Sequence, residues 1–305
     1  MLYSFYNYGK VGFINRLGEV VIEPKYLRSS AYGEGFVALS ESGKFAFFSE
    51  DGIRLSDYVY DDVGGFSEGL CYVMVNAHSC YINREIKEEF NVDGCDGDRF
   101  KNGFASARKK DSYFYFDRSG VVFLRNGISS GQYSDGKLLW LSSRNRLYGY
   151  KDDKGAWSIR PAYEEAGDFS NNMAVVKKGG QWSVIDGNNC LLCILDRISD
   201  TFGFISEGLI CCIGHNGKYG YVSVCGDLII PFIYDYATNF SEGFACAKID
   251  NRRVYIDKEG DIVIDKDFRV NSDFEGGLAW VIKKSGHAGY IDKSGEFVVS
   301  SEHPF

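Results

Sequence analysis

The chain has 305 residues, of which 45% are hydrophobic and 25% charged, with a formal net charge of −8. This describes a folded protein with material for a large core; it excludes disorder and disfavours a globally basic nucleic-acid binder, while leaving room for a local basic patch. Aromatic residues reach 16%, with 36 Gly and only 4 Pro, which fits many short strands joined by tight turns and argues against collagen or long helical bundles.

In chain order, the opening MLYSFYNYGKVGF lacks the basic start, apolar run and small-residue cleavage site of a secretory signal. No uninterrupted apolar stretch is long enough to span a bilayer, so no membrane partner is expected. Cysteines without a signal point to a reducing, cytoplasmic location.

A marker then recurs along the chain. It reads YGEGF at Tyr32–Phe36, FSEGL at Phe66–Leu70, FKNGF at Phe100–Phe104, YSDGK at Tyr133–Lys137, FSNNM at Phe169–Met173, FISEGL at Phe204–Leu209, FSEGF at Phe240–Phe244 and FEGGL at Phe274–Leu278. Steps between successive markers, from Gly35 through Asn172 to Gly277, are 34, 34, 33, 36, 36, 35 and 34 residues. A second marker falls within each unit, as GFIN at Gly12–Asn15, GYVS at Gly220–Ser223, VYID at Val254–Asp257 and GYID at Gly289–Asp292, with looser copies such as CYIN at Cys80–Asn83. A β-branched run follows, closed by proline at Pro24, Pro161 and Pro231.

Each unit therefore holds four extended segments: a short piece before the marker aromatic, the run after it, the GYID run and the β-branched run. Connections of two to four polar or glycine residues predict hairpins. Asp or Asn ahead of x-x-Gly predicts a type I turn, and proline is expected to end the fourth strand. No helical apolar period is sustained, so the fold is predicted all-β. The units run approximately 2–35, 36–69, 70–103, 104–136, 137–172, 173–208, 209–243, 244–277 and 278–305, within a single repeat domain 1–305. About 34 residues cannot bury a core alone, so neighbours must stack. A closed β-propeller of small antiparallel blades is expected, because a ring removes exposed sheet edges; an open β-solenoid is the alternative.

These repeats resemble the WG (KWG) repeat family of bacterial proteins, most closely in Ile230–Lys258 and Phe274–Val299, which contain IPFIYDYATNFSEGFACAK and GLAWVIKKSGHAGYIDKSGEFVV. The naming tryptophan is replaced by Val11, Phe45, Tyr148, Tyr219 or Ala288 and kept only at Trp182, whereas its glycine survives as Gly12, Gly149, Gly220 and Gly289. The resemblance implies a propeller-like repeat scaffold with no shared catalytic residues.

Recurring acids are read as structural. Glu34, Glu68, Glu207 and Glu242 in the marker turn, and Asp117, Asp186, Asp257 and Asp292 after the third strand, occur in too many units to form one active site; turn and backbone bonding account for them. Cys190 and Cys193 have thiol-redox or zinc spacing, but positions three apart on a strand face opposite ways. Cys71, Cys211, Cys212 and Cys246 sit where other copies carry Ala or Val and are read as packing residues. The histidines are His78, His215, His287 and His303. The Asp93–Asp98 segment misses the EF-hand pattern and is read as an exposed insertion. No catalytic residue, metal or cofactor is assigned.

The hairpins between second and third strands carry most of the clustered cations, which predicts one basic face. From them Arg108, Lys109, Lys110, Arg144, Arg146, Lys177, Lys178, Arg252 and Arg253 are the candidate partner-binding residues, with Trp140 and Tyr148 as aromatic anchors. The irregular stretches Phe90–Arg99 and Ile128–Arg146 are the favoured recognition sites. The expected function is a non-enzymatic scaffold that binds a macromolecule, most simply a protein, through its hairpin rim. Nucleic-acid or acidic-ligand binding through a basic face is one alternative, and a hydrolase with carboxylates in a central channel is another.

Overall fold

The computed structural model describes residues 1–92, 94–110, 112–127 and 133–301. Every regular element among them is a strand, and all paired strands are antiparallel neighbours in the sequence. The chain divides into two compact units, Met1–Tyr133 with Asp153–Gly155, and Ser134–Asp152 with Ala156 onward. The repeat runs through both.

In the first unit the sheets are built on Tyr3–Asn7 with Lys10–Ile14, on Phe36–Ser40 with Phe45–Ser49, on Leu70–Val75 with His78–Asn83, and on Phe104–Lys109 with Ser112–Asp117. In the second unit the corresponding pairs are Lys137–Leu141 with Tyr148–Lys151, Met173–Lys178 with Gln181–Asp186, Leu209–Gly214 with Tyr219–Ser223, Ala245–Ile249 with Arg252–Ile256, and Ala279–Lys283 with Ala288–Ile291. The long strand Ile262–Asn271 closes the eighth sheet and opens the ninth, joining them into one.

In sheets with a neighbour on each side within a unit, strands two and three are buried on both faces, as in Phe36–Ser40 and Leu209–Gly214. In Phe36–Ser40, Val37 and Leu39 enter the cluster shared with the preceding sheet, while Ala38 enters the cluster shared with the following one. The two-residue side-chain period of a strand distributes successive residues to opposite interfaces. Fourth strands alternate instead: in Leu228–Tyr234 only Ile230 and Tyr234 are buried.

The marker is a two-residue hairpin turn. Ser67 and Leu70 exchange backbone hydrogen bonds, and Glu68 and Gly69 both take positive φ, 53° and 81°. This is type I′ geometry, whose twist matches that of the strands. Glycine suits the second position; a glutamate at the first is unusual and needs a reason, found below.

Marker aromatics plug the gap to the preceding sheet. Phe100, Phe169, Phe240 and Phe274 are buried, with ring centroids 4.7–5.2 Å from Tyr81, Tyr150, Tyr221 and Tyr255 of the preceding third strands. Those tyrosine hydroxyls donate to the carbonyls of Asp98, Gly167, Thr238 and Ser272, each two residues before the aromatic. Ring and hydroxyl thus fix the approach of each next unit.

Proline does not end the fourth strand. Val20–Tyr26, Trp157–Tyr163 and Leu228–Tyr234 each continue past it. It sits in a bulge on an edge strand, where its missing N–H costs no ladder bond. Opposite each bulge lies Gly12, Gly149 or Gly220. A Cβ on these glycines would stand 2.5–2.7 Å from the carbonyl oxygen of Ile22, Ile159 or Ile230. Close backbone approach explains why the glycine persists while the tryptophan position drifts.

Candidate interaction surface

Up-and-down connectivity divides the turns between two edges. Marker turns and Asp-x-x-Gly turns occupy one edge; the hairpins between strands two and three, and the links into the next unit, occupy the other.

On the first edge the recurring polar residues hold the repeats together. Glu34 accepts from the backbone N–H of Glu68 and Gly69 at 2.6 and 2.9 Å, and Glu68 from Gly103 at 2.8 Å. In the second unit Asp135 accepts from Asn172, Glu207 from Gly243 and Glu242 from Gly277. A cation in the turn after the third strand of the next repeat completes three of these contacts: Arg84 beside Glu34, Lys258 beside Glu207 and Lys293 beside Glu242. The preceding serine joins the seam, since Ser67, Ser206 and Ser241 hydroxyls donate to the carbonyls of Phe100, Phe240 and Phe274. Burial pushes the Glu207 carboxyl up, but Lys258 and the two turn N–H groups outweigh it and hold the group below its ordinary value.

Aspartates after the third strand act locally. Asp117 Oδ1 accepts from the N–H groups of Ser119 and Val121, and Asp292 Oδ1 from those of Ser294 and Glu296. Asn15 and Asn83 fill the same role in their units. The structural reading of both acid series follows from these bonds.

The second edge differs from the expected basic face. Lys44 pairs with Asp61, Lys177 with Glu165, Lys218 with Asp235, Arg252 with Asp265 and Lys284 with Asp267. Glu164 also accepts from the hairpin N–H groups of Gly179 and Gly180. The acids come mainly from the fourth strands and the links that follow them, which end on the same edge. The rim is therefore mixed in charge.

Candidate by candidate, Arg108, Lys109 and Lys110 are exposed on one hairpin in the first unit; Arg144, Arg146 and Lys178 are exposed in the second. Lys177 lies over the Trp182 ring, 5.1 Å from its centroid. Arg253 is half-buried, 3.5 Å from Asn271 Oδ1. Trp140 is not a surface anchor: it is 8% exposed, pairs across the sheet with Gly149, and lies under the Lys151 ammonium, 5.2 Å from its ring centroid. Tyr148 is half-buried.

The Asp93–Asp98 segment also needs correction. Asp93 lies outside the described residues, but Asp96–Gly97 forms the regular first strand of its sheet, paired with Arg108 and Ala107. The segment is not an insertion. Beside it, a cavity of about 260 Å³ is lined by Asp98, Arg99, Lys101, Tyr115 and the Phe104–Tyr133 ring pair. Of the other favoured stretch, residues 128–132 lie outside the described residues, as does His303.

All nine cysteines are free thiols. Cys71, Cys211 and Cys212 are buried, and desolvation pushes each thiol up to about 12, as expected of packing residues. Cys190 is exposed and Cys193 half-buried.

Sequence reasoning missed an aromatic ladder on the rim of the second unit. Phe202, 58% exposed, stacks on Tyr219 at 6.5 Å, and Tyr219 meets Tyr236, 40% exposed, at 5.6 Å. The Lys218–Asp235 pair flanks it. Phe202 reaches the surface because the strand Ile198–Ser206 is bulged between Thr201 and Ile205, with Gly203 at φ 77°. The available signal was a 36-residue step at this unit.

A family model described as "WG containing repeat" matches residues 12–45, 56–77, 148–182, 219–252 and 255–285. No curated protein matches the sequence. Among solved structures, a crystal structure of the eukaryotic initiation factor aligns with TM-score 0.63 at 10% identity, covering 98% of this chain and 95% of that one. BamB from Moraxella catarrhalis aligns with TM-score 0.46 at 9% identity, covering 93% and 92%. The fold is the all-β, propeller-type repeat expected from the sequence.

Proposed function

Because the chain belongs to the WG-containing repeat family, we propose that it is a non-enzymatic scaffold that binds a protein partner through its hairpin rim. The Phe202–Tyr219–Tyr236 ladder carries this reading. Aromatic rings in mutual contact, two of them exposed, beside a charged pair are the composition of a protein-recognition hot spot. The mixed charge of the rim favours a protein over a polyanion, since a phosphate backbone needs cations not already neutralised by neighbouring carboxylates. Among the described residues the recurring acids are engaged in joining repeats and capping turns, which makes them poor candidates for the acid pair of a hydrolase.

The test is capture from native lysate, with and without nuclease, by the wild-type chain and two variants. Phe202→Ala with Tyr236→Ala is expected to reduce recovery of a nuclease-resistant protein by tenfold or more, about 1.4 kcal/mol. Charge reversal at Arg108, Lys109, Lys110, Arg144 and Arg146 is expected to alter its salt dependence more than its recovery. Nuclease-sensitive recovery abolished by the charge reversal would overturn the reading in favour of nucleic acid.

A further inference from the structure

His78, Cys80 and Glu88 lie together on the third sheet. His78 and Cys80 are two apart on one strand, which puts both on the same face. Glu88 comes from the adjoining strand Glu88–Asn91, whose pairing is bulged between Glu88 and Phe90. The His78 imidazole Nε2 stands 3.0 Å from a Glu88 carboxylate oxygen, and one donor atom from each of the three residues falls within 4.8 Å of the others. The cysteine is buried at the edge of the apolar cluster formed with Phe45, Phe47, Tyr60 and Phe66. The histidine and glutamate side chains are 44% and 48% exposed, so the cluster is open to solvent on their side.

We propose that these three side chains form a Zn²⁺ site. One thiolate, one imidazole and one carboxylate are the donors this borderline-soft ion takes, and three protein ligands with a fourth position open is a recognised zinc arrangement. Ordinary zinc bond lengths place tetrahedral donors roughly 3.3–3.6 Å apart. The ion therefore has to part the His78–Glu88 pair slightly and draw in the Cys80 sulfur, within what side-chain rotation supplies. The ion would take the place of the His78–Glu88 contact and bind Cys80 as its thiolate, the form of cysteine that ligates zinc. The fourth position, on the exposed side, is free for water or for a donor from another molecule. The site is independent of the aromatic ladder, which lies in the other compact unit.

The test uses the full chain, reduced, in a Cys190→Ser/Cys225→Ser background that removes the two exposed thiols. Titration with Co²⁺ is expected to give a sulfur-to-cobalt charge-transfer band and tetrahedral ligand-field bands that saturate at one ion per chain, and that Zn²⁺ then displaces. Cys80→Ser is expected to abolish the charge-transfer band, and Cys71→Ser, a neighbouring buried thiol in the same cluster, to retain it. His78→Ala and Glu88→Gln alter exposed positions that tolerate substitution; each is expected to weaken Zn²⁺ binding more than about tenfold and to abolish the Zn²⁺-dependent rise in unfolding temperature. Absence of the band, a band that survives Cys80→Ser, or undiminished binding in His78→Ala overturns the proposal.

Discussion

The Glu242 carboxylate accepts a hydrogen bond from the backbone N–H of Gly277, 2.9 Å away and one repeat further along the chain. The same contact, made by Glu34, Glu68 and Glu207, explains why a glutamate occupies a left-handed position that glycine or asparagine would take more easily. Its backbone cost is offset by bonds to the next turn, reinforced in Glu242 by Lys293.

Glu242→Ala is expected to cost about 1–2 kcal/mol, since it keeps the positive φ and loses the charged bond at a site partly open to water. Glu242→Gly loses the same bond but relieves the backbone, and should cost roughly half as much. Urea unfolding of the two variants checks this order; an alanine variant as stable as the glycine one contradicts it.

Gly149→Ala and Gly220→Ala are each expected to destabilise by about 2 kcal/mol or more, because a Cβ would strike the backbone of the facing fourth strand. Gly179→Ala meets no atom at all and carries only the cost of its positive φ, about 1 kcal/mol. Thermal unfolding midpoints of the three variants distinguish steric cost from conformational cost.

Removal of the Tyr221 hydroxyl in Tyr221→Phe leaves the stack on Phe240 intact and deprives the Thr238 carbonyl of its donor. The expected loss is about 1 kcal/mol, against about 3–5 kcal/mol for Tyr221→Ala, which also empties the interface. Near-equal losses would mean that the hydroxyl, not the ring, dominates.

Acid sensitivity follows from the turn aspartates. The Ser294 hydroxyl, the backbone N–H groups of Ser294 and Glu296 and the nearby Lys266 charge hold the Asp292 carboxyl below its ordinary value despite some burial. A depressed carboxyl contributes stability that is complete above its unfolded value, about 3.9, and is lost as pH falls through the lower folded value. Stability should therefore decline below about pH 4. Asp292→Asn keeps the acceptor, as Asn15 and Asn83 do in their own units, and is expected to flatten that decline. Urea midpoints at about pH 6 and about pH 3 give the comparison.

The period, the four-strand pattern of most repeats and the hairpin connections were legible because each rests on local chemistry: an aromatic, a Gly-containing turn and a β-branched run at fixed offsets; the second sheet lacks its fourth strand and keeps only isolated bridges there. What escaped depends on which residues meet across repeats. The marker glutamates read as local turn formers, yet their bonds go to a turn 34, 35 or 36 residues away. Of the acids that neutralise the rim, Asp235 follows the fourth strand Leu228–Tyr234, which the bulge around Pro231 carries to the hairpin edge, and Asp61 follows a stretch joined to its sheet by isolated bridges at Arg54 and Tyr60. Trp140 looked like an anchor because nothing local shows that Gly149 faces it. His78 and Cys80 share a face by simple alternation, but the arrival of Glu88 depends on a register shift that no pattern announces.

The seam of carboxylates has a direction. In each contact the acceptor belongs to the earlier repeat and the donor to the later one. During synthesis from the N-terminus, the newest complete repeat on the ribosome thus presents a carboxylate whose donor has not yet emerged. Assembly is closed by each arriving repeat, and the growing end stays the least fastened part of the chain.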